Sequence, residues 1–334
     1  MTTLLIGGAG YIGAHTYEAL IEEGEDVIIL DNLSTGFLQR ISPRGRFYRA
    51  DIMNEGLLKT ILSENKIETV IHLAASKSVR ESLSNPLKYY ANNISGTISL
   101  LKSLKGTTVK NLILASSCSV LGDGNSTIGF SEKPKSPYGI SKMACENLCK
   151  DIAVELKLNI AILRYFNVIG CSEFTLACDL AEDAVLPNFI RKLKNGSVLE
   201  IHEQELSELE NLQTRDYVDV RDVARANLAI LDLLRTTNEN LCCNVSSGKP
   251  VNLFEILKSL GDCVNERIEF ECIGRNENES YQIWCSIDSV LEELGWRPKY
   301  NLMDSIHSQY EVMTRDWELI IQKTTMTDLP NRKS

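Results

Sequence analysis

Apolar residues enter this chain in short unbroken runs, among them Leu4-Leu5-Ile6, Val27-Ile28-Ile29-Leu30 and Leu112-Ile113-Leu114. Runs of this length that do not alternate with polar residues mark strands buried on both faces. Strands are predicted at 3–6, 27–30, 47–52, 69–74, 111–116 and 160–165. Helices are predicted between them at 11–23, 55–64, 86–104 and 138–156. Strands separated by helices predict an α/β chain built on a right-handed, doubly wound parallel sheet. Beyond about residue 170 the pattern breaks into longer loops and mixed elements. The division expected is a first domain over 1–170, to which segments near 215–245 return, and a smaller C-terminal α/β lobe over 171–330. The polar tail 324–334 is expected to fray.

The first run enters Gly7-Gly8-Ala9-Gly10-Tyr11-Ile12-Gly13 and then an amphipathic stretch. Strand, glycine turn and helix in that order open a dinucleotide-binding Rossmann unit. Gly7 allows the tight turn, Gly10 lets backbone approach a pyrophosphate, and Gly13 lets the helix pack close to the sheet. The pyrophosphate then rests on the unpaired N–H groups of the helix N-terminus. The second run ends in Asp31, 18 residues after Gly13. An acid there accepts hydrogen bonds from an adenosine ribose and repels a 2′-phosphate, so NAD is the expected cofactor rather than NADP.

Candidate chemistry falls at the carboxyl ends of the later strands. The run at 111–116 delivers Ser116-Ser117-Cys118-Ser119, and the next helix opens Ser136-Pro137-Tyr138-Gly139-Ile140-Ser141-Lys142. Residues four apart on a helix share a face, so Tyr138 and Lys142 share one electrostatic environment. A nearby positive charge favours phenolate over a phenol whose ordinary pKa is about 10. Bringing it near 7 takes roughly 3 units, or about 4 kcal/mol, which the lysine and a cationic cofactor together are expected to supply. Ser117 is placed to bond a substrate hydroxyl and relay its proton to Tyr138. No histidine lies near these elements as a base with an orienting partner, so a serine-hydrolase triad is a poor reading. His72, inside an apolar run, reads as a packed core residue.

Composition narrows the partners. The 334-residue chain carries a net charge of −10, which argues against nucleic acid or an anionic membrane. The first strand begins at once, leaving no room for a signal peptide, and no apolar stretch is long enough to span a bilayer. Ten scattered cysteines with no CxxC, and four histidines, give no metal-ligand spacing. Reduced, mostly buried thiols in a cytoplasm are expected.

Together these residues resemble the extended short-chain dehydrogenase/reductase family and, within it, the UDP-glucose 4-epimerases. The likeness covers nearly the whole chain. It runs through Gly7–Gly13, Asp31-Asn32-Leu33, Asp51-Ile52, the segment from His72 to Val79, Tyr89–Asn93 and Ser116-Ser117. It continues through Ser136–Lys142, Arg164-Tyr165-Phe166-Asn167, Arg215-Asp216-Tyr217-Val218 and Leu294–Pro298. It implies a cofactor site formed by the glycine turn with Tyr11 and Ile12, by Asp31 and Asn32 at the adenosine ribose, and by Asp51 and Ile52 at the adenine. Ala74, Ala75 and Lys77 then line the pyrophosphate and nicotinamide region, with Asn92 at the cofactor and Tyr165 beside the nicotinamide. Ser117 and Tyr138 act on a sugar hydroxyl, and Lys142 holds the nicotinamide ribose. Asn167, Arg215 and Arg275 are implied ligands of a nucleotide diphosphate.

The activity implied is NAD-dependent 4-epimerisation of a nucleotide-diphospho-hexose by a homodimer with no metal. Related dehydratases carry an Asp-Glu pair after the catalytic serine or threonine, whereas Cys118-Ser119 stand here. The chain departs from the family at His202–Glu210, at Asp183-Ala184-Val185, at Asn276, Asn278 and Glu279, and at Leu121, which points to an altered sugar or nucleotide. Ile283 aligns with a position that gates the C2 substituent. Two alternatives stay open: a sugar-nucleotide oxidoreductase of the same family, such as a 4-keto-sugar reductase, and a non-catalytic NAD-binding regulatory protein.

Overall fold

The structure is a computed structural model that describes residues 1–42, 45–131, 133–201, 213–237, 239–273 and 282–327. Its centre is a seven-stranded parallel sheet. From one edge to the other the strands are Leu241–Val245, Asn159–Tyr165, Asn111–Ser117, Thr69–His72, Thr2–Ile6, Asp26–Asp31 and Arg46–Arg49. The chain thus starts in the middle, winds outward to one edge, and then crosses back beside the first strand. That reversal, between Thr2–Ile6 and Thr69–His72, opens a crevice at the carboxyl edge where ligands of such sheets bind.

The unbroken apolar runs follow from this position. Leu4, Ile6, Ile28, Leu30, Val70, Leu112 and Ile160 face one side, against helices Glu55–Glu64, Ser95–Leu104 and Pro137–Leu156. Leu5, Ile29, Ile71, Ile113, Leu163 and Val245 face the other, against helices Tyr11–Glu22 and Val220–Thr236. Neither face meets water, so neither alternates with polar residues. The doubly wound α/β fold read from the sequence is the fold observed.

Several boundaries differ from expectation for local reasons. The third strand stops at Arg49 because the Asp51 carboxylate accepts the Met53 N–H at 2.9 Å and turns the chain. The fourth stops at His72, where the Leu73 and Ala74 N–H groups both turn to the Ile6 carbonyl. The helix expected over 86–104 is interrupted by a π-turn at Tyr90–Ile94. The last helix, Trp317–Thr327, carries regular backbone past Thr324, where fraying was expected to begin.

After residue 165, strand Asn167–Ile169 pairs with Thr214–Asp219, which also joins Pro250–Asn252 and Gln282–Trp284. Gln282–Trp284 pairs in turn with Gly124–Asn125, placing this smaller sheet beside the carboxyl edge of the large one. Helices Val185–Lys194, Leu253–Val264 and Leu302–Arg315 pack around a separate apolar cluster that includes Leu186, Ile190, Leu257, Leu260, Ile306 and Met313. Among the described residues no helix is long and apolar enough to cross a membrane.

Candidate active site

The glycine turn lies at the crevice. Gly7 has φ +85°, and a Cβ there would lie 2.6 Å from the Ala74 nitrogen, on the neighbouring strand's exit. At Gly13 a Cβ would lie 2.1 Å from the Gly7 carbonyl oxygen. Neither position admits a side chain. A Cβ on Gly10 would meet only the Gly7 carbonyl, at 3.1 Å, so its other side is open to a ligand. No side chain caps helix Tyr11–Glu22 and no acid stands in its first turn, which leaves that N-terminus suited to an anion. Asp31 ends the second strand and accepts from the backbone N–H groups of Ala9 at 3.0 Å and Leu33 at 2.8 Å. Burial still pushes its carboxyl above the ordinary range. Asn32 donates to Asp51 at 2.8 Å, and the Ile52 carbonyl accepts from Ser99 at 2.6 Å. A cradle without side chains, an uncapped helix end and an acid at the second strand's tip fit a dinucleotide.

The second half of the site is built by strand Asn111–Ser117 and helix Pro137–Leu156. The Ser136 hydroxyl caps the helix by accepting from Gly139 N–H at 3.1 Å, with Pro137 at the first helical position. A Cβ on Gly139 would lie 2.6 Å from the Ser119 carbonyl, so glycine lets the helix start against the turn after Ser117. The Ser117 hydroxyl donates to the Ser119 hydroxyl at 3.2 Å and accepts from the Ser119 N–H at 3.1 Å, and it lies close enough to Tyr138 to lower the phenol's pKa. One turn further on, Lys142 donates from Nζ to the Ala115 carbonyl at 2.8 Å. Ser117, Tyr138 and Lys142 are all buried, at 8 %, 8 % and 6 % exposure.

Burial dominates the electrostatics of the set. Burial pushes the Tyr138 phenol up to about 12, the Ser117 hydrogen bond pulls it down, and the thiols of Cys118 and Cys145 push it up further. Lys142, itself lowered by burial, has its ammonium directed at a backbone carbonyl. Desolvation of the phenolate is the largest of these influences, and it favours the neutral phenol. His72 is buried, lies 3.3 Å from the Thr97 hydroxyl, and is lowered by burial to about 3, so it is a neutral core residue.

The remaining sequence candidates are placed as follows. Ala74 and Ala75 follow the fourth strand directly, at the crevice. Lys77 forms an ion pair with buried Asp179 at 2.7 Å and lies over the Tyr11 ring at 5.7 Å. The Tyr11 hydroxyl donates to the Gly170 carbonyl at 2.5 Å, and Ile12 packs against the core. Tyr165 stands opposite Ser117 in the sheet, but its hydroxyl donates to Asn227 at 2.7 Å in the helix layer. Asn92 is exposed and donates to Asn93 at 3.0 Å. Asn167 pairs across from Tyr217, and Arg215 lies opposite Ile283, with its charge opposing the upward push of burial on the Cys118 thiol. Arg275 and the departures at 202–210, 276, 278 and 279 lie outside the described residues.

Two residues the sequence did not single out support the set. Buried Asn93, carried by the π-turn, accepts from Ser76 N–H at 2.8 Å and donates to the Ser76 carbonyl and the Ser141 hydroxyl, both at 3.0 Å. It ties the 75–77 segment to the helix turn between Tyr138 and Lys142. Glu146, one turn beyond Lys142, accepts from Ser116 at 2.6 Å and from Arg164 at 2.9 and 2.7 Å. A polar pair within an apolar helix and an acid at i+4 from the lysine were the available signals.

A dinucleotide cradle and a buried Ser-Tyr-Lys set on one sheet edge define an enzyme of nicotinamide-dependent chemistry at a hydroxyl-bearing carbon. The chain belongs to the NAD dependent epimerase/dehydratase family, whose sequence model matches residues 3–245. It is 32% identical over 313 residues to the UDP-glucose 4-epimerase of Lacticaseibacillus casei, covering 92% of this chain and 94% of that one. It is 33% identical over 332 residues to that of Yersinia enterocolitica, covering 93% and 97%. A crystal structure of UDP-glucose-4-epimerase from Stenotrophomonas maltophila, with bound NAD and formylated UDP-arabinopyranose, superposes with a TM-score of 0.87 at 28% identity, over 96% of this chain and 99% of that one.

Proposed function

We propose that this chain is an NAD-dependent 4-epimerase of a nucleotide-diphospho-hexose of the UDP-glucose/UDP-galactose type. The carrying observation is that Ser117, Tyr138 and Lys142 meet in one buried cluster on the same sheet edge as the glycine turn. The two relatives named above, each covering more than nine-tenths of this chain, are UDP-glucose 4-epimerases. A sugar C4–H is not acidic, so C4 inverts only by way of a transient 4-keto sugar. When bound, NAD supplies the hydride acceptor and returns the hydride, so no net redox change occurs. Tyr138 takes the 4-hydroxyl proton, Ser117 orients that hydroxyl, and Lys142 favours the phenolate through its charge. The keto sugar must present its other face before reduction, so the site holds the nucleotide firmly and the hexose loosely. Asn167 and Arg215 are the described candidates for the diphosphate, Arg215 through charge-assisted bonds. Gly7, Gly10, Tyr11, Ile12, Gly13, Asp31, Asn32, Asp51, Ile52, Ala74, Ala75, Lys77 and Asn92 surround the proposed cofactor, with Tyr165 behind it. Cys118-Ser119 after Ser117 supply no acid and base for loss of water across C5–C6.

The test is incubation with UDP-, dTDP- and GDP-hexoses and no added cofactor. The expected product is the C4 epimer of at least one of them, formed without net change in reduced nicotinamide. Stoichiometric consumption of NAD(P)H, or a dehydrated product, would refute the reading.

A homodimer is part of the same proposal. Leu87 and Val154, on the helices at 86–104 and 137–156, are 77 % and 79 % exposed, which a second copy would cover. Val154→Glu is expected to turn a dimer into a monomer by light scattering, and a monomeric unaltered chain would refute the pairing. A reducing, cytoplasmic location is proposed from the ten free cysteines, seven of them buried.

A further inference from the structure

The segment 170–179 is fastened to the dinucleotide-binding half from the side of the glycine turn. The Tyr11 hydroxyl bonds the Gly170 carbonyl, as above. Ser172 N–H donates to His15 Nε2 at 3.0 Å, which places the ring proton on Nδ1, 2.9 Å from the Tyr11 carbonyl. Lys77 holds Asp179 at the segment's end. The deepest tie is Arg40, which is 3 % exposed. Its Nε donates to the Leu176 carbonyl at 2.7 Å and its Nη2 to the Cys178 carbonyl at 2.8 Å. On its other side the same guanidinium lies 3.4 Å from the carbonyl of Ala9, within the glycine turn, and 4.8 Å from the Phe37 ring centre.

Arg40's hydrogen bonds all go to neutral carbonyls. A buried cation without a touching carboxylate is costly unless a negative charge comes near it. Asp31 and Asp179 act on it only through space. The open anion cradle of the glycine turn is immediately beside it. On the segment's far side, Gly170 N–H bonds Gln309 and Leu176 N–H bonds Asp316, at 3.0 and 2.7 Å. Those anchors stay with the C-terminal helices, so opening toward the cofactor breaks the near-side ties.

We propose that Arg40 is a positioning residue that latches segment 170–179 over the glycine turn and draws part of its stabilisation from the cofactor's diphosphate, so that it sets how fast NAD leaves. The inference rests on the NAD-binding reading above. Arginine suits the task because its rigid fork serves two carbonyls at once, whereas lysine offers a point charge.

Protein loaded with labelled NAD and diluted into excess unlabelled NAD gives the release rate directly, well below each variant's melting temperature. Arg40→Lys is expected to release NAD about tenfold faster, and Arg40→Met faster still, for the loss of one and then both charge-assisted bonds. Amide hydrogen exchange within 171–178 should rise in parallel in the NAD-loaded variants. A residue that only stabilises the fold would lower the melting temperature and leave the release rate alone, so equal rates in folded variants overturn the latch. Should Arg40→Met fail to fold, Tyr11→Phe removes only one hydroxyl tie of the same segment and is expected to speed release; an unchanged rate there overturns it as well. An unaltered chain that never binds NAD would instead overturn the epimerase reading.

Discussion

Tyr138→Phe is expected to lower kcat by about a thousandfold, within the range that loss of a positioned acid–base group produces. KM should change only a fewfold, because the hydroxyl acts chiefly as the proton moves. The ring stays packed edge-on against Tyr89 at 6.2 Å between centres, so the fold and the retention of NAD should survive. Product formation from the active nucleotide hexose, followed by discontinuous analysis, is the measurement. Turnover within tenfold of the unaltered chain would remove Tyr138 from the proton transfer.

The pH dependence carries a sign. In the proposed mechanism phenolate is the competent form, so log kcat should rise with pH below the Tyr138 pKa of the loaded complex and level off above it. Among the chain's own groups burial dominates and pushes that phenol up to about 12. Loss of the rising limb in Tyr138→Phe would tie the limb to this residue.

What the sequence made legible was local in origin. Leu4–Ile6 and Val27–Leu30 could be read as central strands because both of their faces are buried, and Gly7 could be read as a turn because its positive φ excludes side chains. Tyr138 and Lys142 could be paired because helix periodicity fixes their common face. What stayed hidden depends on partners distant in the chain. Asn93 rather than exposed Asn92 is the buried amide because the π-turn rotates it toward Ser76 and Ser141. The burial of the Tyr138 phenol stayed hidden because spacing reports which charge is near but not how completely water is excluded. Arg40 belongs to no motif in the sequence, and only the approach of Leu176 and Cys178 shows what it holds.

Glu146→Ala should be the most destabilising single change beneath the catalytic set. The carboxylate is 2 % exposed, while the Arg164 side chain keeps 22 % exposure. Its removal takes from the Arg164 guanidinium its two bonds to the carboxylate and from the Ser116 hydroxyl its acceptor. Breaking a buried pair from one side costs about 3–5 kcal/mol, and the low end applies because Arg164 retains some water. Glu146→Gln keeps one carbonyl acceptor and should cost about 1–2 kcal/mol. Urea unfolding midpoints measure both. The decisive arm is the double variant Glu146→Ala/Arg164→Met, which removes both members of the ion pair. If the cost comes from the broken ion pair, the double variant should be more stable than Glu146→Ala alone; simple addition of the two single losses would mean that Glu146 acts through packing instead. Because Ser116 adjoins Ser117 and Glu146 lies one turn from Lys142, kcat should fall in Glu146→Ala and recover only in part in the double variant, where Ser116 still lacks its acceptor.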